Sequence, residues 1–308
     1  GGTCNIVCCN NSFIGGGCRN CVIGIKSSIV GGAFNTSSLD FSFIGGGQFN
    51  VVQDNYNSIV GGLKNIAKST GKGNQFIGGG TLNTASGNYS FVGGGSCNQT
   101  LAPMATVVGG TLNTASGACS FIGGGNGNKT IGVFSSVVGG TVNTASGACS
   151  FIGGGECNYV KDFRSSIVGG YNNVIDTSGK GGQFIGGGED NISANFWSSV
   201  VGGQGNCVYS TTSIIGGGES NSIGVSGGAS SPSNSFIGGG NSNCIGKGGD
   251  NSGILGGGFN CIDGHPHSFI IGCNIDSTTT KTTYMNNATV ACHLQVGGTT
   301  TMNSTTGR

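Results

Sequence analysis

Charge is scarce in this chain of 308 residues: Asp, Glu, Lys and Arg together make 7%, against about 25% in an ordinary soluble domain. With a net charge of +1, no basic stripe and one Trp, it gives no footing for nucleic acid. Only three prolines occur and Gly does not recur every third residue, which excludes a collagen triple helix. No apolar run approaches the ~18 residues of a membrane span, so no membrane insertion is expected, and no secretion signal opens the sequence. No stretch keeps a 3.6-residue apolar pattern, so no helix of consequence is expected. The calcium-binding nonapeptide solenoid needs an Asp in every turn, and these turns have none.

What the chain has instead is glycine, 68 residues of 308, and an asparagine that returns every 15 positions. Asn5, Asn20, Asn35, Asn50 and Asn65 form one run, Asn83, Asn98, Asn113, Asn128, Asn143, Asn158 and Asn173 a second, and Asn191, Asn206, Asn221, Asn243 and Asn260 close the series. The unit reads S-x-[IV]-x-G, three residues, N-x-[AVI]-x-G, two residues. Each half alternates with period two, the signature of extended chain, and ends in glycine, which supplies the positive φ of a tight corner. Two short strands and two corners per 15 residues make one turn of a parallel β-solenoid, all-β throughout. Gly1 to Asn5 enter in the middle of a unit, so upstream sequence is expected.

Six residues before each Asn stands Ile or Val, as in Ile122, Val137 and Ile152, the expected core. Seven and five before it stand Phe and Gly in one kind of turn (Phe121/Gly123, Phe151/Gly153) and Ser and Val in the other (Ser136/Val138, Ser166/Val168). The kinds mostly alternate, so large faces small up the stack, which is a packing solution. These residues lie opposite the core Ile, and one 15-residue turn is too narrow to bury both faces. The second burial therefore calls for another chain, with Phe121, Val138, Phe151 and Val168 at the interface. The residue after each Asn (Thr114, Lys129, Thr144, Tyr159) is a mixture suited to solvent. One strand on partners and one facing water is the layout of a parallel homo-oligomer around an axis.

The string Asn143-Thr144-Ala145-Ser146-Gly147-Ala148-Cys149-Ser150-Phe151-Ile152-Gly153 resembles the head repeat of YadA-type trimeric autotransporter adhesins. That resemblance implies a left-handed β-roll with three chains around one axis, over residues 1–274 in about 17 coils. The chain departs from the family in its far more regular Asn and Gly-Gly corners and in its 14 cysteines. Residues 275–308 form a second, Thr-rich segment expected to be extended or β. Thr283 to Val290 and Val296 to Asn303 are similar to the stretch that precedes the self-cleaving intramolecular chaperone of phage and large-virus tail spikes and fibres. Arg308 is then either a cut in a longer chain or the end left on chaperone release.

The Asn column, represented by Asn113, Asn128 and Asn143, reads as a ladder of stacked amides that satisfies buried polar groups, since a residue at every level cannot mark one site. Three enlarged turns carry Lys72, Lys180 and Lys247 between glycines; none is a phosphate-binding loop, and they read either as tolerated insertions or as contacts for a glycan or polyanion. His265-Pro266-His267 caps the series. In phage fibre tips such a pair gives six imidazoles from three chains to one metal, against the alternative of a polar cap. Cys18 and Cys21 are in C-x-x-C spacing, yet the cysteines fill slots that Ser, Ala and Thr also fill. Fourteen thiols fit assembly in reducing cytosol better than secretion.

Glu156, Glu189 and Glu219 share one slot two turns apart, about 9–10 Å, just beyond an inverting glycosidase pair, and no His or Lys converges on them. The expectation is therefore no enzyme and no cofactor. It is a trimeric fibre shaft at the surface of a virus or phage particle, with itself, a host-cell receptor or glycan, and an upstream capsid or tail attachment point as partners. The alternative is a bacterial trimeric adhesin head at the cell surface. A glycan-cleaving tail spike and an ice-binding solenoid come behind, the latter because no Thr-x-Thr pair repeats.

Overall fold

The computed structural model describes residues 1–68, 73–176, 179, 181–227 and 231–285. Among these residues there is no helix. The chain forms a parallel β-solenoid with two sheets. Sheet I has 17 two-residue strands from Ile6–Val7 to Cys261–Ile262. Sheet II begins at Phe13–Ile14 and ends with Phe269–Ile271 and Thr283–Met285. Successive strands of a sheet come from successive turns, all parallel: Thr114 pairs with Lys129, and Phe121 with Ser136. The first and last strands of sheet II each have a single neighbour, so this ladder is open at both ends. A third ladder, one residue wide, runs along the corner between them through Thr111, Asn126, Thr141 and Glu156.

The core is two columns thick. Ile122, Val137 and Ile152 from sheet II are wholly buried, as are Ala115, Thr130 and Ala145 from sheet I. Each such Ile or Val stabilises by roughly 1.5–3 kcal/mol. The sheet I column changes character along the rod. It reads Ala67, Ala85, Thr100, Ala115, Thr130 and Ala145 in the middle, and Val160, Ile175, Ser193, Val208, Ile223, Ile245 and Ile262 toward the C-terminus, all fully buried.

The asparagines make a ladder of a different kind from stacked amides. Asn113 Nδ2 donates to Gly109 O (2.9 Å) in its own turn and to Gly125 O (3.0 Å) in the next. Its Oδ1 accepts the backbone N–H of Asn128 at 3.0 Å. The side chain therefore staples two backbones together, and amide-to-amide bonds are added only in some turns, such as Asn221 to Asn206 at 3.0 Å.

Corners depend on left-handed backbone, and glycine supplies only about half of it. Gly110 has φ +85, and a Cβ there would lie 2.2 Å from Gly125 O and 2.6 Å from Asn113 Nδ2, so no other residue fits. At the two other left-handed positions of most turns stand ordinary side chains: Leu112 (φ 58), Cys119 (φ 55), Phe134 (φ 58) and Val142 (φ 56). Each costs about 1–2 kcal/mol. The stack imposes the conformation by directing the N–H at the preceding turn, as in Leu112 N–H to Ser96 O and Cys119 N–H to Pro103 O.

Stacking continues past residue 274. Ile275 N–H takes the Oδ1 of Asn260, the last rung, and Thr283–Met285 pairs with Phe269–Ile271. The Tyr284 hydroxyl accepts the N–H groups of Thr278 and Thr279, both at 2.7 Å. Slight burial opposes its ionisation, but the hydrogen bonds from Thr278 and Thr279 prevail and bring it down to about 8.

Candidate functional site

The outer face of sheet II is a continuous apolar stripe. Phe121 and Phe151 are each 38% exposed, Val138 50% and Val168 51%. Register sets Phe121 beside Ser136 and Ser136 beside Phe151, as size complementarity requires. The alternation fails at Phe76 and Phe91, adjacent rings stacked 5.3 Å apart. Next to the stripe runs a column of glycines, including Gly94, Gly109, Gly124, Gly139 and Gly154. A Cβ on any of these five would meet no atom of the described residues within 4 Å and none of the five has positive φ, although Gly79, Gly187 and Gly217 of the same column do. Among the described residues nothing accounts for the small size of these five. On sheet I the outward residues Thr114, Thr144 and Tyr159 are half-buried and Lys129 is exposed.

The two left-handed corner columns carry a feature that pattern reading missed. Phe34 stacks on Phe49 at 4.8 Å and Phe41 on Tyr56 at 4.9 Å. Arg19 lies over Phe34 and Lys26 over Phe41. Further along the second column are Tyr89, Phe134 and Trp197, all more than half exposed. The 15-residue spacing of Phe34 with Phe49, and of Phe41 with Tyr56, is the signal that could have found them.

The individually expected site residues do not converge. Lys72 and Lys180 lie outside the described residues. Lys247 is exposed, and its carbonyl accepts Gly264 N–H. His265 Nδ1 is 3.0 Å from Ser277 Oγ, whereas His267 is exposed at a left-handed corner with φ 58. Among the described residues no three His, Cys, Asp or Glu side chains group as metal ligands, and the cysteines are free thiols. Cys244 and Cys261 are direct strand neighbours; the hydrogen bond between their thiols lowers the pKa of Cys244 and raises that of Cys261. Glu156, Glu189 and Glu219 are separated on the corner ladder by Tyr171 and Gln204. Glu189 accepts from Gln204 Nε2 (3.3 Å) and Glu219 from Asn241 Nδ2 (3.0 Å), so both are engaged along the ladder rather than across a cleft. No protein-family model matches the chain and no curated protein is similar to it, which leaves the apolar stripe and the aromatic corners to carry the functional argument.

Proposed function

We propose that this chain is the shaft of a parallel homotrimeric fibre on a virus or phage particle, a left-handed β-roll of 15-residue coils that projects a host-attachment surface. The mechanism is mechanical and adhesive, with no reaction. The observation that carries the proposal is the stripe of Phe121, Val138, Phe151 and Val168, exposed along the rod beside glycines such as Gly109, Gly124 and Gly139 that no described residue requires. Exposed apolar surface on that scale marks an interaction site. Its partner must match a two-turn repeat of about 9.6 Å level after level, and a second copy in parallel does so by construction. Three copies around one axis follow the resemblance to trimeric adhesin heads. The virus reading follows the Thr-rich segment and the thiols. A bacterial adhesin head is the rival that the 143–153 string supports, and the full reading frame separates them: a self-cleaving chaperone downstream indicates a virus, a membrane anchor an adhesin.

Light scattering tests the assembly. Phe121→Asp or Val138→Asp sets an unpaired carboxylate into the seam at every copy, at a cost of several kcal/mol. Thr114→Asp on sheet I changes stability by no more than about 0.5 kcal/mol. The seam variants lose the threefold mass or aggregate while the Thr114 variant keeps it. A monomeric parent, or trimeric and stable seam variants, would sink the proposal.

A further inference from the structure

The second corner column contains a gap of defined width. Lys26, Phe41, Tyr56, Asn74, Tyr89 and Met104 occupy consecutive left-handed corners, with φ between 54 and 63. Consecutive backbone bonds fix their order: Tyr56 N–H to Asp40 O, Asn74 N–H to Asn55 O, Tyr89 N–H to Gly73 O and Met104 N–H to Asn88 O. Phe41 and Tyr56, one turn apart in this column, stack within 7° of parallel at 4.9 Å. Tyr56 and Tyr89 are two turns apart, about 9.6 Å, and the rung between them is the short side chain of Asn74. Past the reach of that side chain an open cleft remains, lined by Asn55, Tyr56, Asn74 and Tyr89. The same column loses its ring at Gly182, but there the chain fills the space itself: a Cβ on Gly182 would meet the Trp197 ring at 2.9 Å.

We infer that the cleft between Tyr56 and Tyr89 is a binding site for one neutral pyranose ring of a glycan. Carbon contacts are optimal at about 3.5–4.0 Å, so two faces about 9.6 Å apart leave roughly 2 Å for the body of the ligand. A flat aromatic ring would sit at the spacing of the column's own stacks, 4.9 Å for Phe41 and Tyr56, but offers no hydroxyl to the asparagines. A puckered sugar ring, with axial C–H bonds on both faces, reaches both. Asn55 supplies polar recognition: its Oδ1 is taken by Asp40 N–H at 2.9 Å, and its Nδ2 makes no hydrogen bond to the described residues, which leaves two donors for sugar hydroxyls. Asp40 and Asp54 in the same corners disfavour an anionic sugar.

The column differs from coil to coil, from Lys26 through Tyr56 to Trp197 and His267, unlike the strictly repeated Phe/Val stripe. A contact between identical chains repeats, whereas a site for a ligand is singular. The tyrosines are 53% and 56% exposed on corners where a side chain of any size is strained. The inference rests on this corner alone and stands whether one copy or three make the rod.

Saturation-transfer NMR on the intact protein with methyl β-glucopyranoside, methyl β-galactopyranoside and methyl α-mannopyranoside, each at millimolar concentration, tests it. Transfer is expected to the axial ring protons of at least one of them. Affinity falls about tenfold or more in Tyr56→Ala and in Tyr89→Ala. It falls equally in Asn74→Tyr, which completes the ring stack and closes the cleft at a corner geometry the column already accepts for tyrosine. Phe134→Ala, on the same column outside the cleft, binds as the parent does. Absence of transfer for all three glycosides, undiminished binding in Asn74→Tyr, or stronger transfer to N-acetylphenylalanine amide than to any glycoside would overturn the assignment.

Discussion

Removing one rung of the asparagine ladder tests what holds the turns together. In Asn113→Ala the backbone N–H of Asn128, whose side chain is fully buried, loses the Asn113 Oδ1 that accepts it at 3.0 Å. A buried donor left unpaired costs about 1–3 kcal/mol. Gly125 O loses the Nδ2 donor but keeps the Thr111 N–H, and half-buried Gly109 O loses its Nδ2 donor. Each of these costs a further ~0.5–1.5 kcal/mol, which makes the whole about 4 kcal/mol. Thr114→Ala, one residue along on the half-exposed face, stays within about 0.5 kcal/mol.

Because a solenoid couples each turn only to its neighbours, the loss is local, and amide hydrogen exchange resolves it where a global melting curve does not. Protection falls steeply in the turns around Asn98, Asn113 and Asn128 and is unchanged near Asn221. Asn113→Asp keeps the acceptor but sets an oxygen against two carbonyls. Burial raises the carboxyl pKa in the folded state, so protection in this variant improves as pH falls and the protonated acid regains one donor. Unaltered exchange at Asn128 in Asn113→Ala would show that strand pairing alone holds the stack and that the ladder is incidental.

Gly124→Ala adds a methyl where no described atom lies within 4 Å; an isolated rod gains up to about 1 kcal/mol from the stiffer unfolded chain, while a trimer seam at this column is blocked. Light scattering that finds an unchanged oligomer would place the glycine stripe away from any seam. Ser37→Val replaces a fully buried hydroxyl that has no hydrogen-bond partner and stands between Val22 and Val52 in the core column, so denaturant titration followed in the N-terminal turns finds about 1–3 kcal/mol of added stability; a loss would mean the hydroxyl is engaged. Tyr284 ionises near 8 in the folded protein against about 10 in a free chain. Ultraviolet titration therefore finds one early tyrosinate that Tyr284→Phe removes. The corresponding stability is full above about 10 and lost as pH falls through about 8; six tyrosines all titrating near 10 would refute it.

The Asn column, the Ile/Val core and the outward Phe/Val face of the same strand could be read from sequence because each follows one fixed spacing, and Asn113 and Ile122 are buried and Phe121 points outward in the structure. The corners could not. Leu112, Cys119 and Phe134 have left-handed backbone that their own preferences oppose, and only the carbonyls of the preceding turn impose it. The one-residue ladder through Thr111 and Glu156 was hidden for the same reason, since its register comes from the stack and not from alternation. The aromatic corner column was legible as spacing but not as a surface, because the conformation of Tyr56 and Tyr89 is set by their N–H bonds to Asp40 O and Gly73 O of the preceding turn. Among the three lysine loops only Lys247 lies in the described residues, and inserts carry no period from which a placement could be deduced.

The graded core column gives the rod a mechanical direction. An Ile in place of Ala buries about three more methylenes, roughly 2.4 kcal/mol per turn at ~0.8 kcal/mol each. Turns that carry Ile175, Ile223, Ile245 and Ile262 are thus held more tightly than those with Ala67, Ala85, Ala115 and Ala145. In a stack that can nucleate at any turn and propagate to its neighbours, the richer core favours the C-terminal turns as the starting point, with winding toward residue 1. Under tension the order reverses: the alanine-rich middle parts before the isoleucine-rich end, so a load applied along the axis is released in the shaft while the C-terminal coils stay closed.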